Sequence, residues 1–324
     1  MLSKEQLNKA AQRGIISHEQ LNALIAFSQQ EAGAKLPGDE EQLRFVRGFG
    51  DIFITLGIIL VAISVSFTDI RGYYYAAPIL GFILTAEWLV RVRRLALPGI
   101  AILVCIIYFV NTLFTELGQQ KSLLNLGLIT ATSLLFYLRY RMPFSLLPAV
   151  GSVILMLVYT IGIDILHQPW LLSFLGLAVF TLAMWFDSRD TGRQNYLSDS
   201  AFWLHLLAAP LIAHGVMIVI VMAEPGSLLA ANRHMLIISF FVLFFIIALF
   251  VDRRAILISS TAYAIYAITQ LAKGQFADIQ SMIAFVFMGF GVFVILFGTY
   301  WYKARSLLFG WTRNTMLARR VPKF

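Results

Sequence analysis

Between about residues 49 and 302, apolar residues come in blocks of 18 to 24, and short polar breaks separate the blocks. A hydrocarbon core of about 30 Å takes about 20 helical residues to cross. The pattern therefore predicts ten membrane-spanning helices at about 49–67, 74–92, 97–115, 122–139, 144–165, 169–186, 201–222, 235–252, 255–272 and 279–302. The division of 235–272 rests on Asp252, Arg253 and Arg254, since one span carrying three adjacent charges is costly. Trp88, Trp170, Trp185, Trp203 and Trp301 fall near predicted span ends, where an aromatic belt sits.

Residues 1–45 are polar and separate from this region. Ser3–Gln6 and Ser17–Gln20 repeat the same capping pattern, a serine followed three residues later by a glutamine that can reach back to it. Gly14 lies between them as a helix terminator, and Leu21, Leu24, Ile25 and Phe27 give the second helix an apolar stripe. The reading is a small helical hairpin. With no apolar stretch before residue 49, a cleavable signal peptide is not expected, and the first span is expected to act as the insertion signal. The remainder divides into a helix bundle at 46–302 and a basic tail at 303–324.

Charge gives the bundle a direction. Of the 25 Lys and Arg residues, only Arg71, Lys121, Arg233 and Lys273 lie in one set of alternate loops. Five acids, Asp69, Glu116, Asp164, Glu224 and Asp278, share those loops, which leaves 21 basic and 12 acidic residues, a net of +9, on the other side. Retention of Lys and Arg in the cytoplasm during insertion then predicts a bundle with both termini inside. Only 13% of the residues are charged, about half the usual share for a soluble domain. The basic excess is explained by topology and by attraction to anionic headgroups, and nucleic acid is not an expected partner. Arg313, Arg319 and Arg320, interleaved with Trp311, Met316 and Leu317, are candidates for a lipid-surface contact. The alternative is a disordered tail.

A period accompanies the charges. Arg91 and Arg93 end one span, Arg139 and Arg141 recur 48 residues on, and Arg189 lies 48 beyond Arg141. Asp187-x-Arg189 recurs as Asp252-x-Arg254. Stacked two-helix units would produce this spacing, and so would any series of hairpins with basic corners. Five hairpins do not divide into two inverted halves.

Ionisable groups inside lipid are the first candidates for chemistry. Asp51 and Glu87 share the cytoplasmic side and form a candidate ion or proton site. The competing explanations are a Glu87–Arg91 salt bridge at i, i+4 and a helix-dipole role for Asp51. His205 and His214 share the seventh span, half a turn out of phase, so they cannot ligate one metal. Each is a candidate proton relay or an interhelical hydrogen-bond partner. Pro210 between them removes a backbone donor and can kink the helix. Asn111 and Gln270 are candidates to line a cavity, and Asn125 and Asp164 to bond between helices. Gly289, Gly291 and Gly298 suggest close helix packing. The lone Cys105 can form no internal disulfide. No catalytic residue, metal site or cofactor fingerprint is expected.

The segment Gly14-Ile15-Ile16-Ser17-x-Glu19-Gln20, followed by Arg44-Phe45-Val46-Arg47-Gly48-Phe49-Gly50-Asp51 and a first span containing Gly57, resembles bacterial predicted membrane proteins of the domain-of-unknown-function 2157 type. These pair a short helical cytoplasmic segment with a run of membrane helices. The resemblance implies that architecture and a bacterial inner membrane; it carries no activity and no catalytic residue. Three function classes are therefore expected: a transporter or lipid-handling protein; a scaffold, assembly factor or sensor with a protein partner at residues 1–45; and a membrane-embedded enzyme.

Overall fold

The computed structural model describes residues 7–8, 10–11, 13–34, 46, 48–118, 122–162, 168–193, 195–273, 275–312, 315 and 320–322. The chain divides into two units, Met1–Glu40 and Glu41–Phe324. In the first, helix α1 (His18–Ala34) opens on the capping box read from sequence. The Gln20 backbone N–H donates to Ser17 Oγ at 3.1 Å, and the Ser17 N–H donates to Gln20 Oε1 at 2.9 Å. Gly14 takes the left-handed conformation, φ +69°, that ends the preceding helical turn. The Ile15 and Gly14 amides then reach back to the Ala10 and Ala11 carbonyls, both at 3.0 Å. Leu21 is buried, whereas Leu24 is exposed. The earlier capping pattern at Ser3–Gln6 lies outside the described residues.

The second unit is all-helical among its described residues, with ten helices long and apolar enough to cross a membrane. These are α2 (Phe49–Ser66), α3 (Gly72–Val92), α4 (Ala96–Glu116), α5 (Ser122–Tyr140), α6 (Pro143–Ile161), α7 (Pro169–Arg189), α8 (Tyr196–Val221), α9 (Arg233–Val251), α10 (Ala255–Ala272) and α11 (Ile279–Phe309). Asp252–Arg254 does separate two helices. Three boundaries differ from the sequence reading. α6 stops at Ile161 because Gly162 turns left-handed at φ 69°. α8 begins five residues earlier than the apolar pattern suggests, since its first turns are the polar run Ser198-Asp199-Ser200. α11 continues past a non-helical Tyr300 (φ −103°, ψ 15°) to Phe309.

Packing defines the repeating unit. Helices joined at the arginine-rich end lie against each other: α3 on α4, α5 on α6, α7 on α8 and α9 on α10. Each of these corners holds one non-glycine residue in the left-handed region, namely Arg94 (φ 56°), Arg141 (φ 52°), Arg193 (φ 52°) and Asp252 (φ 61°). Such a residue costs about 1–2 kcal/mol, and least for an aspartate. The tight reversal brings amides beyond the helix end back onto its last carbonyls: Arg93 to Trp88 at 3.0 Å, Arg141 to Tyr137 at 2.8 Å and Arg253 to Ala248 at 3.0 Å. The array is thus four corner-closed hairpins flanked by α2, which packs on α4, and α11, which packs on α9 and α10. This replaces the five hairpins expected from sequence.

α8 is the central helix of the C-terminal half. Two glycines set its contact with α7. A Cβ on Gly215 would fall 2.2 Å from Ser173 Oγ and 2.7 Å from the Pro169 carbonyl oxygen; one on Gly176 would fall 2.8 Å from the Ile212 nitrogen. The close approach lets Ser173 Oγ donate to the Ile212 carbonyl at 3.2 Å, a side-chain bond between helices of the kind apolar surroundings favour. α8 runs on through Pro210.

Candidate functional site

Polar residues deep in the second unit gather at the arginine-rich end, in two clusters. The first is built on Asp187, in the last turn of α7. Its Oδ2 lies 2.9 Å from His205 Nε2 on α8 and accepts from Arg253 Nε at 3.2 Å. Its Oδ1 accepts from Arg253 Nη2. The same guanidinium donates to the Ser198 carbonyl at 3.0 Å and to Ser198 Oγ at 2.8 Å, fastening the start of α8 to the α9–α10 corner. A carboxylate only accepts, so His205 Nε2 carries the proton. The imidazole also meets Phe180 edge-on at 5.1 Å, and its Nδ1 is buried without a hydrogen-bond partner.

Next to Asp187 on the other side of the corner is Asp252. Its Oδ1 accepts from Trp301 Nε1 at 2.7 Å, and its Oδ2 lies 3.1 Å from Arg193 Nη2 and 4.0 Å from Arg305 Nη1. Arg193 Nη2 also donates to the Asp252 carbonyl at 2.5 Å. Arg305 binds the Leu249 carbonyl at 2.9 Å and the Pro322 carbonyl at 2.6 Å. It therefore lies inside the bundle end, although its sequence position is in the basic tail. Asp190 is buried too, and accepts from the Asn195 amide at 2.8 Å.

Asp187, Asp190 and Asp252 lie among Arg193, Arg253 and Arg305, and the side chains of the Asp187–Arg253 and Asp252–Arg193 pairs are each under a tenth exposed. Buried ions are tolerated when they are paired and fully hydrogen-bonded, and removing one partner strands the other.

The second cluster is at the rim. Glu87 occupies a π-helical turn, Glu87–Val92, that ends α3. Its Oε1 accepts from Arg139 Nε at 2.8 Å and Tyr140 OH at 3.0 Å; its Oε2 accepts from Arg139 Nη2 at 2.9 Å and Arg91 Nη1 at 3.1 Å. A third link, Arg141 Nη1 to Tyr196 OH at 3.4 Å, joins the α5–α6 corner to the start of α8. The links form a line: α3 to α5, the α5 corner to α8, α7 to the α9 corner, and that corner to α11.

The nominated residues are therefore distributed as follows. Glu87 takes the salt bridge to Arg91 and adds Arg139 and Tyr140, none of which is Asp51. Asp51 is buried where α2 begins, and α2 packs on α4 rather than on α3. The two acids do not combine into one site. His205 and His214 face opposite ways: His205 is sealed, while His214 is exposed and meets Tyr263 edge-on at 5.5 Å. Asn111 bonds its own helix through the Ile107 carbonyl at 2.8 Å, and Gln270 is half-buried near the end of α10. Arg320 is exposed. Arg313, Arg319 and Asp164 lie outside the described residues. Among the described residues no group of His, Cys, Asp and Glu forms a metal site.

Sequence reasoning missed Asp187, Arg253, Asp252, Arg193 and Arg305 as a unit. The recurrence of Asp-x-Arg was the available signal. It marked the two acids, Asp187 and Asp252, but not their partner: Arg253 stands at the middle position of the second motif, while the motif arginines Arg189 and Arg254 lie over Trp185 and Trp301.

Fold and site together define an all-helical protein with ten helices long and apolar enough to cross a membrane, whose α7–α8 and α9–α10 hairpins are joined at one end by buried ion pairs. The chain matches no family model, no curated protein and no solved structure.

Proposed function

We propose that the protein is a membrane scaffold or assembly factor of a bacterial inner membrane, with its arginine-rich end and both termini in the cytoplasm. One observation carries the reading: the line of ion pairs across successive helix ends, exposed at Glu87–Arg139 and buried around Asp187 and Asp252, in which acids and guanidiniums join one hairpin to another and the last hairpin to α11. A platform that presents a fixed surface requires such bracing. The charge asymmetry of the loops supports the orientation. The capped helix α1, in a unit of its own, is the arm that a protein partner reads. The test compares the full chain with residues 46–324, each isolated from native membranes in mild detergent and sized by light scattering with mass spectrometry of the peak. A discrete larger assembly lost on deletion supports the reading; an identical assembly without residues 1–45 rejects it.

A second reading, a transporter-like or lipid-handling protein, draws on α8 alone. Pro210 interrupts its backbone bonding, and five residues earlier His205 holds an unpartnered buried nitrogen. In a Cys105→Ser background, Ala213→Cys distinguishes the two. Rapid reaction with a membrane-impermeant maleimide reveals a water path beside α8 and favours transport; protection favours the scaffold.

A further inference from the structure

We propose that the face of α3 around Trp88 and Arg91 binds the phosphate of an anionic glycerophospholipid, with an acyl chain running along Leu84 toward the middle of the helix. The inference rests on the membrane-spanning fold and not on the scaffold reading, so either can fail alone. Three observations meet at this place. First, Glu87 is one carboxylate facing two guanidiniums, Arg91 and Arg139, which leaves a positive charge over. Second, the Arg91 side chain is 56% exposed while Glu87 holds its Nη1 in place, so a pre-oriented guanidinium faces outward. Third, Leu84, Glu87, Trp88, Arg91 and Val92 line an open depression of about 500 Å³. Its wall toward the middle of the helix is aliphatic, its floor an exposed indole, and its outer edge cationic. A phospholipid has the same order of chemistry along its length.

The π-helical turn explains how one helix face serves both purposes. Widening the turn at Glu87–Val92 lets Glu87 reach sideways to Arg139 while Trp88 and Arg91 remain on the outer face. Arg93 lies over the Trp88 ring at 5.0 Å and fixes the indole at the edge. The indole stands where headgroup meets hydrocarbon.

The experiment is native mass spectrometry of the detergent-purified full chain, mixed separately with phosphatidylglycerol, with phosphatidylcholine and with inorganic phosphate. Wild type is expected to retain phosphatidylglycerol at collision energies that strip phosphatidylcholine. Arg91→Gln and Trp88→Leu are each expected to reduce that retention roughly tenfold. Arg189→Gln, at another exposed arginine that stacks on Trp185, is expected to leave it unchanged. Unaltered melting temperatures in the variants exclude a folding effect. Equal retention of the two lipids, or equal loss in Arg189→Gln, overturns the proposal. Displacement of the lipid by millimolar phosphate assigns the guanidinium to a free anion and overturns the lipid as occupant.

Discussion

Replacing Asp187 with Asn keeps the shape and one acceptor oxygen of a side chain on which three N–H groups converge, removes its charge, and turns an amide N–H2 toward a donor where an oxygen had accepted. Arg253, 3% exposed, then loses its carboxylate in a place water does not reach. Breaking a buried pair from one side costs about 3–5 kcal/mol. With an unfolding entropy of about 2 cal/mol/K per residue over the roughly 280 residues of the second unit, that is a drop of roughly 5–9 °C in melting temperature. The measurement is thermal unfolding of the purified chain in one detergent, followed by loss of the monodisperse peak. The double replacement Asp187→Asn with Arg253→Met carries the stronger test, because it removes the stranded charge as well. It should recover a large part of the loss, giving a coupling energy of the sign expected for a pair. Arg253→Met alone completes the cycle; it carries the loss of the Ser198 bonds that the double variant shares, so the coupling energy reports the Asp187–Arg253 pair. If Asp187→Asn shifts the midpoint by less than about 1 °C, or if the two losses simply add, the cluster is not the clamp described here.

Other positions test separate parts of the argument. Gly215→Ala should destabilise by about 1–3 kcal/mol, since its Cβ meets the Pro169 backbone, whereas Gly291→Ala, which faces open space, should be neutral in the same melt. Trp301→Phe removes the indole donor to Asp252 and should cost about 1.5–3 kcal/mol, read as a lower melting temperature without a change in expression topology. Asp278 caps α11, accepting from the Ser281 N–H at 2.8 Å and from its hydroxyl at 2.7 Å, and these bonds hold its carboxyl below the ordinary range. The cap therefore contributes above the ordinary carboxylate pKa and is lost as pH falls through the lowered one. Hydrogen exchange at the start of α11 should separate wild type from Asp278→Ala at pH 6 and bring them together in strong acid.

Much of the fold was legible because single-residue chemistry fixed it. A 20-residue apolar block has one stable form in lipid, so the ten spans could be read from hydropathy alone. The Ser17–Gln20 cap needed only local spacing, and the opposed facing of His205 and His214 only the helical period. What escaped the sequence was pairing across distance. Asp187 and Arg253 are 66 positions apart. A basic residue at a span end is also what topology alone would place there, so the arginines of the corners carried no mark of burial. The early start of α8 was hidden for a related reason: Ser198 is polar because it receives Arg253, and hydropathy reads such a turn as loop. Arg305 was read with the tail, since nothing local shows that the Leu249 and Phe250 carbonyls point at it.

Two of the acid–guanidinium links that join neighbouring hairpins are built alike. Glu87, near the end of α3, pairs with Arg139 at the end of α5; Asp187, near the end of α7, pairs with Arg253 just past the end of α9. Each joins the first helix of one hairpin to the first helix, or the corner, of the next. In a chain whose apolar faces resist sliding only through packing, such a link fixes the register between units, which lipid does not favour one way or the other. The first link stands at an exposed rim and the second is sealed, so their strengths differ: screening weakens the rim pair and burial makes the inner one obligatory. The α7–α10 half should therefore be the rigid part of the array and the α3–α5 edge the more weakly held part, where the surplus arginine, still held by Glu87, faces outward.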